Sequence, residues 1–83
     1  MEIDIVALND DTNEILFCEC KWQDDVNTCK ILNELKEKSK YFKWHDDNRK
    51  ESFAIFAKSF REKIKEPYLF LFDLKDMEKI LIK

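Results

Sequence analysis

The 83-residue chain contains no glycine. Average usage would put roughly six in a chain of this length. Every reversal must therefore be made by residues that carry a Cβ, and Asn and Asp tolerate left-handed backbone best among them. Asn9–Asn13 (NDDTN) is thereby singled out as a turn between EIDIVAL and EILFCECKW. The same absence excludes a Gly-rich phosphate loop and a dinucleotide-binding fingerprint. Neither a P-loop ATPase nor a Rossmann oxidoreductase is expected of this chain.

The segments flanking the turn alternate as strands do. Glu2, Asp4, Val6 and Leu8 share one face of the first, and Ile15, Phe17, Glu19 and Lys21 share one face of the second. Pairing Leu8 with Ile15 brings Val6 to Phe17, Asp4 to Glu19 and Glu2 to Lys21. A slip of one residue would turn every side chain to the wrong face.

Beyond the hairpin, Val26, Cys29, Leu32, Leu35 and Phe42 keep helical spacing, which predicts a helix capped by Asp24 or Asp25 and running to about Phe42. Glu34 and Lys38 form an i,i+4 pair on it. Lys43–Lys50 reads as a polar loop and Ser52–Lys58 as a third strand. Ser59-Phe60-Arg61-Glu62 matches a capping box, predicting a short helix that Pro67 ends. Tyr68–Phe72 (YLFLF) is an unbroken apolar run, as expected of a strand buried on both faces. Asp73 caps a last helix with Leu74, Met77, Ile80 and Leu81 on one side. The expected order is β-β-α-β-α-β-α, a mixed sheet in one α/β domain.

Charged residues make up 40% of the chain but nearly cancel at net −3, so charge alone does not indicate a strongly basic nucleic-acid binder. The cysteines Cys18, Cys20 and Cys29 are odd in number and lack a second pair at zinc spacing, so buried free thiols are expected. No apolar run reaches about 18 residues and no signal peptide is present, so a cytoplasmic location without a membrane span is expected.

The expected register sets Asp4 against Glu19, and opposed like charges are destabilising. Lys21 is one group that could offset them, and a divalent cation is another. Mg²⁺ takes one or two carboxylates together with waters and phosphate oxygens. It would acidify a bound water and neutralise charge on a phosphodiester, with Lys21 orienting the water. Against this stands the plain alternative of cross-strand ion pairs on a solvated sheet, Glu2–Lys21 and Asp4–Lys21.

Asp4 followed by Glu19-Cys20-Lys21 on adjacent strands, then a helix and a further strand, resembles the PD-(D/E)XK nuclease superfamily. EIDIVAL, ILFCECKW, FAIFAKSF and YLFLFDLKDMEKIL together look like the C-terminal domain of a family of archaeal P-loop ATPases, long catalogued as a domain of unknown function. The resemblance covers nearly the whole chain. It implies a restriction-endonuclease-like sheet binding Mg²⁺ or Mn²⁺ through Asp4, Glu19 and the backbone carbonyl of Cys20, with Lys21 as the catalytic lysine. It implies DNA as substrate and an ATPase as partner. That core begins with a helix and a strand preceding EIDIVAL, so a truncated copy of the domain is expected here.

Other residues fit simpler roles. His45 reads as a solvated loop residue, Trp22 as packing under the long helix, and Tyr41, Phe42 and Trp44 as a helix end anchored in the core. Lys58 and Arg61 could touch a phosphate backbone. Asp10, Asp11 and Asn13 read as a polar turn. Three functions follow: a Mg²⁺-dependent DNA endonuclease, a non-catalytic module binding DNA or an ATPase partner, and a self-associating fragment. The last would pair through edge strand 2–8 or through the motif-bearing face, expected to be open.

Overall fold

A computed structural model describes residues 3–45 and 48–81, the side chains of residues 80 and 81 excepted. The elements are β1 (Ile5–Asn9), β2 (Glu14–Lys21), α1 (Thr28–Ser39), β3 (Lys50–Ala57), β4 (Leu69–Phe72) and α2 (Leu74–Leu81). The strands form one sheet in the order β1-β2-β3-β4. β1 and β2 are antiparallel, and β2–β3 and β3–β4 are parallel. The mixed α/β sheet is as expected. The hairpin register is too as far as the ladder runs: Leu8 pairs with Ile15 and Val6 with Phe17, while the expected Asp4–Glu19 pair lies beyond its last pair, Ile5–Cys18.

The turns show how a chain without glycine reverses. Asn13, Asp25, His45 and Tyr68 all have positive φ, at 57°, 55°, 46° and 65°. Asn, Asp and His adopt this region more readily than other residues with a Cβ. Tyr68 does not, and carries strain on the order of 1–2 kcal/mol just before β4.

The expected helix between β3 and β4 is absent, so the order is β-β-α-β-β-α. The backbone of its first residues is committed elsewhere. Val26 N–H donates to Ser59 O at 3.0 Å and Arg61 N–H to Val26 O at 2.9 Å, an isolated parallel bridge. The Ser59 hydroxyl accepts from Asp25 N–H instead of capping a turn. Asp24 and Asp25 are held in this junction, and α1 starts later, capped by Asn27, whose side chain accepts from Lys30 N–H. It ends at Ser39 rather than Phe42. Arg49 donates there to the carbonyls of Ser39, Phe42 and Trp44, and its side chain is nearly buried.

The core lies between α1 and one sheet face. Ile15, Phe17, Phe53 and Ile55 meet Leu32 and Leu35, with Phe42, Trp44, Phe60 and Ile64 packed around them. Phe17 stacks on Phe53 at 5.8 Å and meets Phe42 edge-on at 5.9 Å. The crossover through α1 and the segment joining β3 to β4 thus both cover the motif-bearing face, which was expected to be open. The opposite face is the more exposed one. One row crosses it from Ile5 through Cys18 and Ala54 to Phe70. Cys18 and Ala54 are buried between their neighbours, while Ile5 and Phe70 are 58% and 49% exposed. β4 is an edge strand, not one buried on both faces. Trp22 is exposed and does not lie under α1. Of the three thiols only Cys18 is buried.

Candidate functional site

The end of the hairpin away from the turn gathers the motif residues. The β1–β2 ladder stops at Ile5–Cys18, and the chain bends at Asp4. A regular strand would offer Cys20 N–H a backbone carbonyl at this point. The Asp4 carboxylate takes that place, Oδ2 accepting from Cys20 N–H at 2.7 Å. The bond is charge-assisted and closes the open end of the ladder. Ile3, beyond the bend, packs against the core.

Glu19 lies one residue along β2, on the face that α1 covers. It is 5% exposed. An unpaired carboxylate at such a depth would be costly. Lys38, in the last turn of α1, donates from Nζ to Glu19 Oε1 at 2.9 Å. The Glu19 hydrogen bond raises the Lys38 pKa above its ordinary value; burial opposes it, and the charges of Glu19, Glu34 and Asp4 add to it. The ammonium therefore stands in the joint field of three carboxylates. The expected i,i+4 partner of Lys38, Glu34, contributes charge, while the hydrogen bond goes to Glu19.

Lys21 is half-buried at the end of β2, its carbonyl accepting from Gln23 N–H at 2.7 Å. Cys20 is exposed. Glu2, expected to pair with Lys21, lies outside the described residues. The sheet thus brings Asp4, Glu19 and Lys21 to one end of the hairpin. Sequence reading missed Lys38, although its place on the helix face that also presents Leu35 was a usable signal.

In this arrangement one Asp4 oxygen is taken by Cys20 N–H and one Glu19 oxygen by Lys38. Among the described residues no three His, Cys, Asp or Glu side chains form a ready cation site. The donors as they stand do not fit a divalent metal.

The remaining candidates are spread elsewhere. His45 is exposed, its ring edge-on to Trp44. Phe42 and Trp44 anchor the end of α1, and Tyr41 is exposed. Asp11 N–H donates to Asn9 Oδ1, so the Asn9–Asn13 segment is a polar turn. Arg61 pairs with Asp25 at 3.2 Å and Lys58 is exposed. Among the described residues no helix is long and apolar enough to cross a membrane.

A family profile described as Archaea bacterial proteins of unknown function matches residues 1–40, the stretch that holds Asp4, Glu19, Lys21 and Lys38. The chain is similar to an uncharacterized protein of Methanocaldococcus jannaschii, with 40% identity over 77 residues. That match takes in 90% of this chain and 17% of the archaeal protein, so the chain spans under a fifth of the length of the relative it matches. No solved structure matches the chain.

Proposed function

We propose that the chain is a restriction-endonuclease-like sheet used as a non-catalytic binding module, a remnant of a PD-(D/E)XK nuclease-like domain. The observation that carries this reading is the burial of Glu19 against Lys38. A carboxylate fixed in this way holds α1 to the sheet and is not offered to a substrate. Asp4, bonded to Cys20 N–H, ends the hairpin in the same manner.

The favoured partner is a protein, an ATPase being the one the resemblance implies. Net charge −3 and the exposed Ile5, Leu8 and Phe70 suit a protein surface better than a phosphate backbone. DNA is the competing partner. Self-association through the outer edge of β1, which has no neighbouring strand among the described residues, belongs to the same proposal. Binding of an archaeal ATPase that persists in a folded Asp4→Asn, Glu19→Gln variant is the expected result. Divalent-dependent DNA cleavage abolished by those substitutions would overturn it.

A second reading keeps the catalytic inheritance. It is favoured by the bond of the Asp4 carboxylate to the N–H of Cys20, the residue after Glu19, with Lys21 next along the strand. Here Asp4, Glu19 and the Cys20 carbonyl would hold Mg²⁺ or Mn²⁺, and Lys21 would serve an endonuclease acting on DNA. Plasmid nicking with Mn²⁺, lost in Lys21→Ala, is its test.

A further inference from the structure

The sheet face away from α1 carries the row from Ile5 through Cys18 and Ala54 to Phe70. Two further rows lie beside it towards the hairpin turn. Ala7, Leu16 and Ser52 form the nearer one, and Asn9, Glu14 and Lys50 the farther. Ser52 is short, and a groove of about 370 Å³ opens over it between Leu16 and Phe70. Glu14 and Lys50 are both exposed, and among the described residues neither forms an ion pair.

We propose that this face is the docking surface for a second copy of the chain, related by a two-fold axis running parallel to the strands between β2 and β3. The proposal rests on the reading of the chain as a binding module, and places self-association on the open face, not on the edge of β1. The strand register carries it. Under such an axis β2 lies over β3 of the copy and β1 over β4. Because β2 and β3 are parallel, residues paired side by side in one sheet become residues opposed across the interface. Glu14 then meets Lys50 of the copy, and Lys50 meets its Glu14, so two charges without partners in one chain gain them in the pair. Leu16 stands over Ser52 of the copy and fills its groove. Cys18 and Ala54, both small, meet at the centre and let the sheets approach. Ile5 and Phe70, 58% and 49% exposed, cover one another at the flanks. Aligned sheets pack about 10 Å apart and cross at about 30°, which keeps the pairs on the two central strands in place. An axis across the strands at the middle of the sheet would instead set Glu14 over Cys20 and Lys50 over Phe56 of the copy, leaving both charges against apolar groups. Four strands about 4.8 Å apart make a face roughly 20 Å wide. That is small for a protein interface, so a reversible dimer with a dissociation constant on the order of 10 µM is expected.

The test is the mass of the intact chain by sedimentation equilibrium, from micromolar to near-millimolar concentration. It is compared with Glu14→Lys and Lys50→Glu, both at exposed positions and each checked for folding by circular dichroism. The expected result is a monomer–dimer equilibrium in the intact chain, weakened roughly tenfold or more in each variant by like charges set against one another. Mixed together, the two variants should associate again, because Glu14→Lys in one chain meets Lys50→Glu in the other. A general stickiness of the apolar face would show no such rescue. An intact chain that stays monomeric overturns the proposal. Association that survives both single substitutions, or a mixture that stays monomeric, overturns it too. ATPase binding by the same variants reports separately on the module reading, which stands if that binding persists while the dimer fails.

Discussion

Lys38 Nζ meets Glu19 Oε1 at 2.9 Å across the junction of α1 and β2. The bond joins a surface-reaching helix residue to a carboxylate buried in the sheet. It does two things: it offsets the charge that the hairpin register creates, and it fixes the last turn of α1 against the strand.

Lys38→Met should therefore destabilise the fold by about 2 kcal/mol, less than for a fully buried pair because Lys38 still meets water. Adding Glu19→Leu should recover most of the loss, as an apolar pair no longer leaves a stranded charge. Urea denaturation of the single and double variants gives the coupling. The pH dependence has a definite sign. The Lys38 pKa is raised in the fold, so its contribution is present below the ordinary value of 10.5 and is lost as pH rises through the higher folded value.

How far this was legible in the sequence depends on the range of the interactions. The hairpin register was readable because Val6, Leu8, Ile15 and Phe17 can share one face in only one pairing, and Asn13 supplies the left-handed turn. The capping box at Ser59 misled because its signal is local. The bridge between Val26 and Phe60 is not, and it takes the backbone first. Alternation set Asp4 opposite Glu19, but the ladder stops at Ile5–Cys18 and the Asp4 carboxylate goes to Cys20 N–H instead. Lys38 could be put on the Leu35 face of the helix, but its meeting with Glu19 could not be read, since which sheet face α1 covers is decided by the crossover. The expectation of an open motif face and a buried Trp22 failed for that same reason.

Arg49 closes the C-terminus of α1. Nη1 donates to Phe42 O at 2.6 Å and to Trp44 O at 3.1 Å, Nη2 donates to Ser39 O at 2.7 Å, and the guanidinium pairs with Glu51. Lysine cannot reproduce this fork. Arg49→Lys should cost about 2–3 kcal/mol, read from a shifted urea midpoint, because several partly buried carbonyls lose their donor at once. An unchanged midpoint would show that water replaces the cap.

Asp73 sets the acid limb. Its carboxylate accepts from Asp76 N–H at 2.9 Å, and Asp76 returns a bond to Asp73 N–H at 3.0 Å. The Asp76 amide, and then Lys63, lower the Asp73 pKa from 3.8 to about 2. A depressed carboxylate pKa stabilises above the ordinary value, and the effect fades as pH falls through the folded one. Asp73→Ala should cost about 1 kcal/mol at neutral pH and flatten this part of the acid titration of stability. Acid unfolding followed by circular dichroism checks it.

The thiols should react in two classes. Cys20 and Cys29 are exposed, while Cys18 is buried and its pKa is raised by that burial. A thiol reagent should modify two groups promptly, and the third at a rate that follows unfolding. Mass mapping that finds Cys18 among the fast ones would contradict the packing of β2.

The central claim is that Glu19 is a structural carboxylate whose counter-ion is Lys38. The most direct measurement is calorimetric titration of Mn²⁺ into the intact chain at millimolar concentration, beside Glu19→Gln. The account predicts no saturable heat in either protein. A saturable heat in the intact chain that disappears in Glu19→Gln would contradict it.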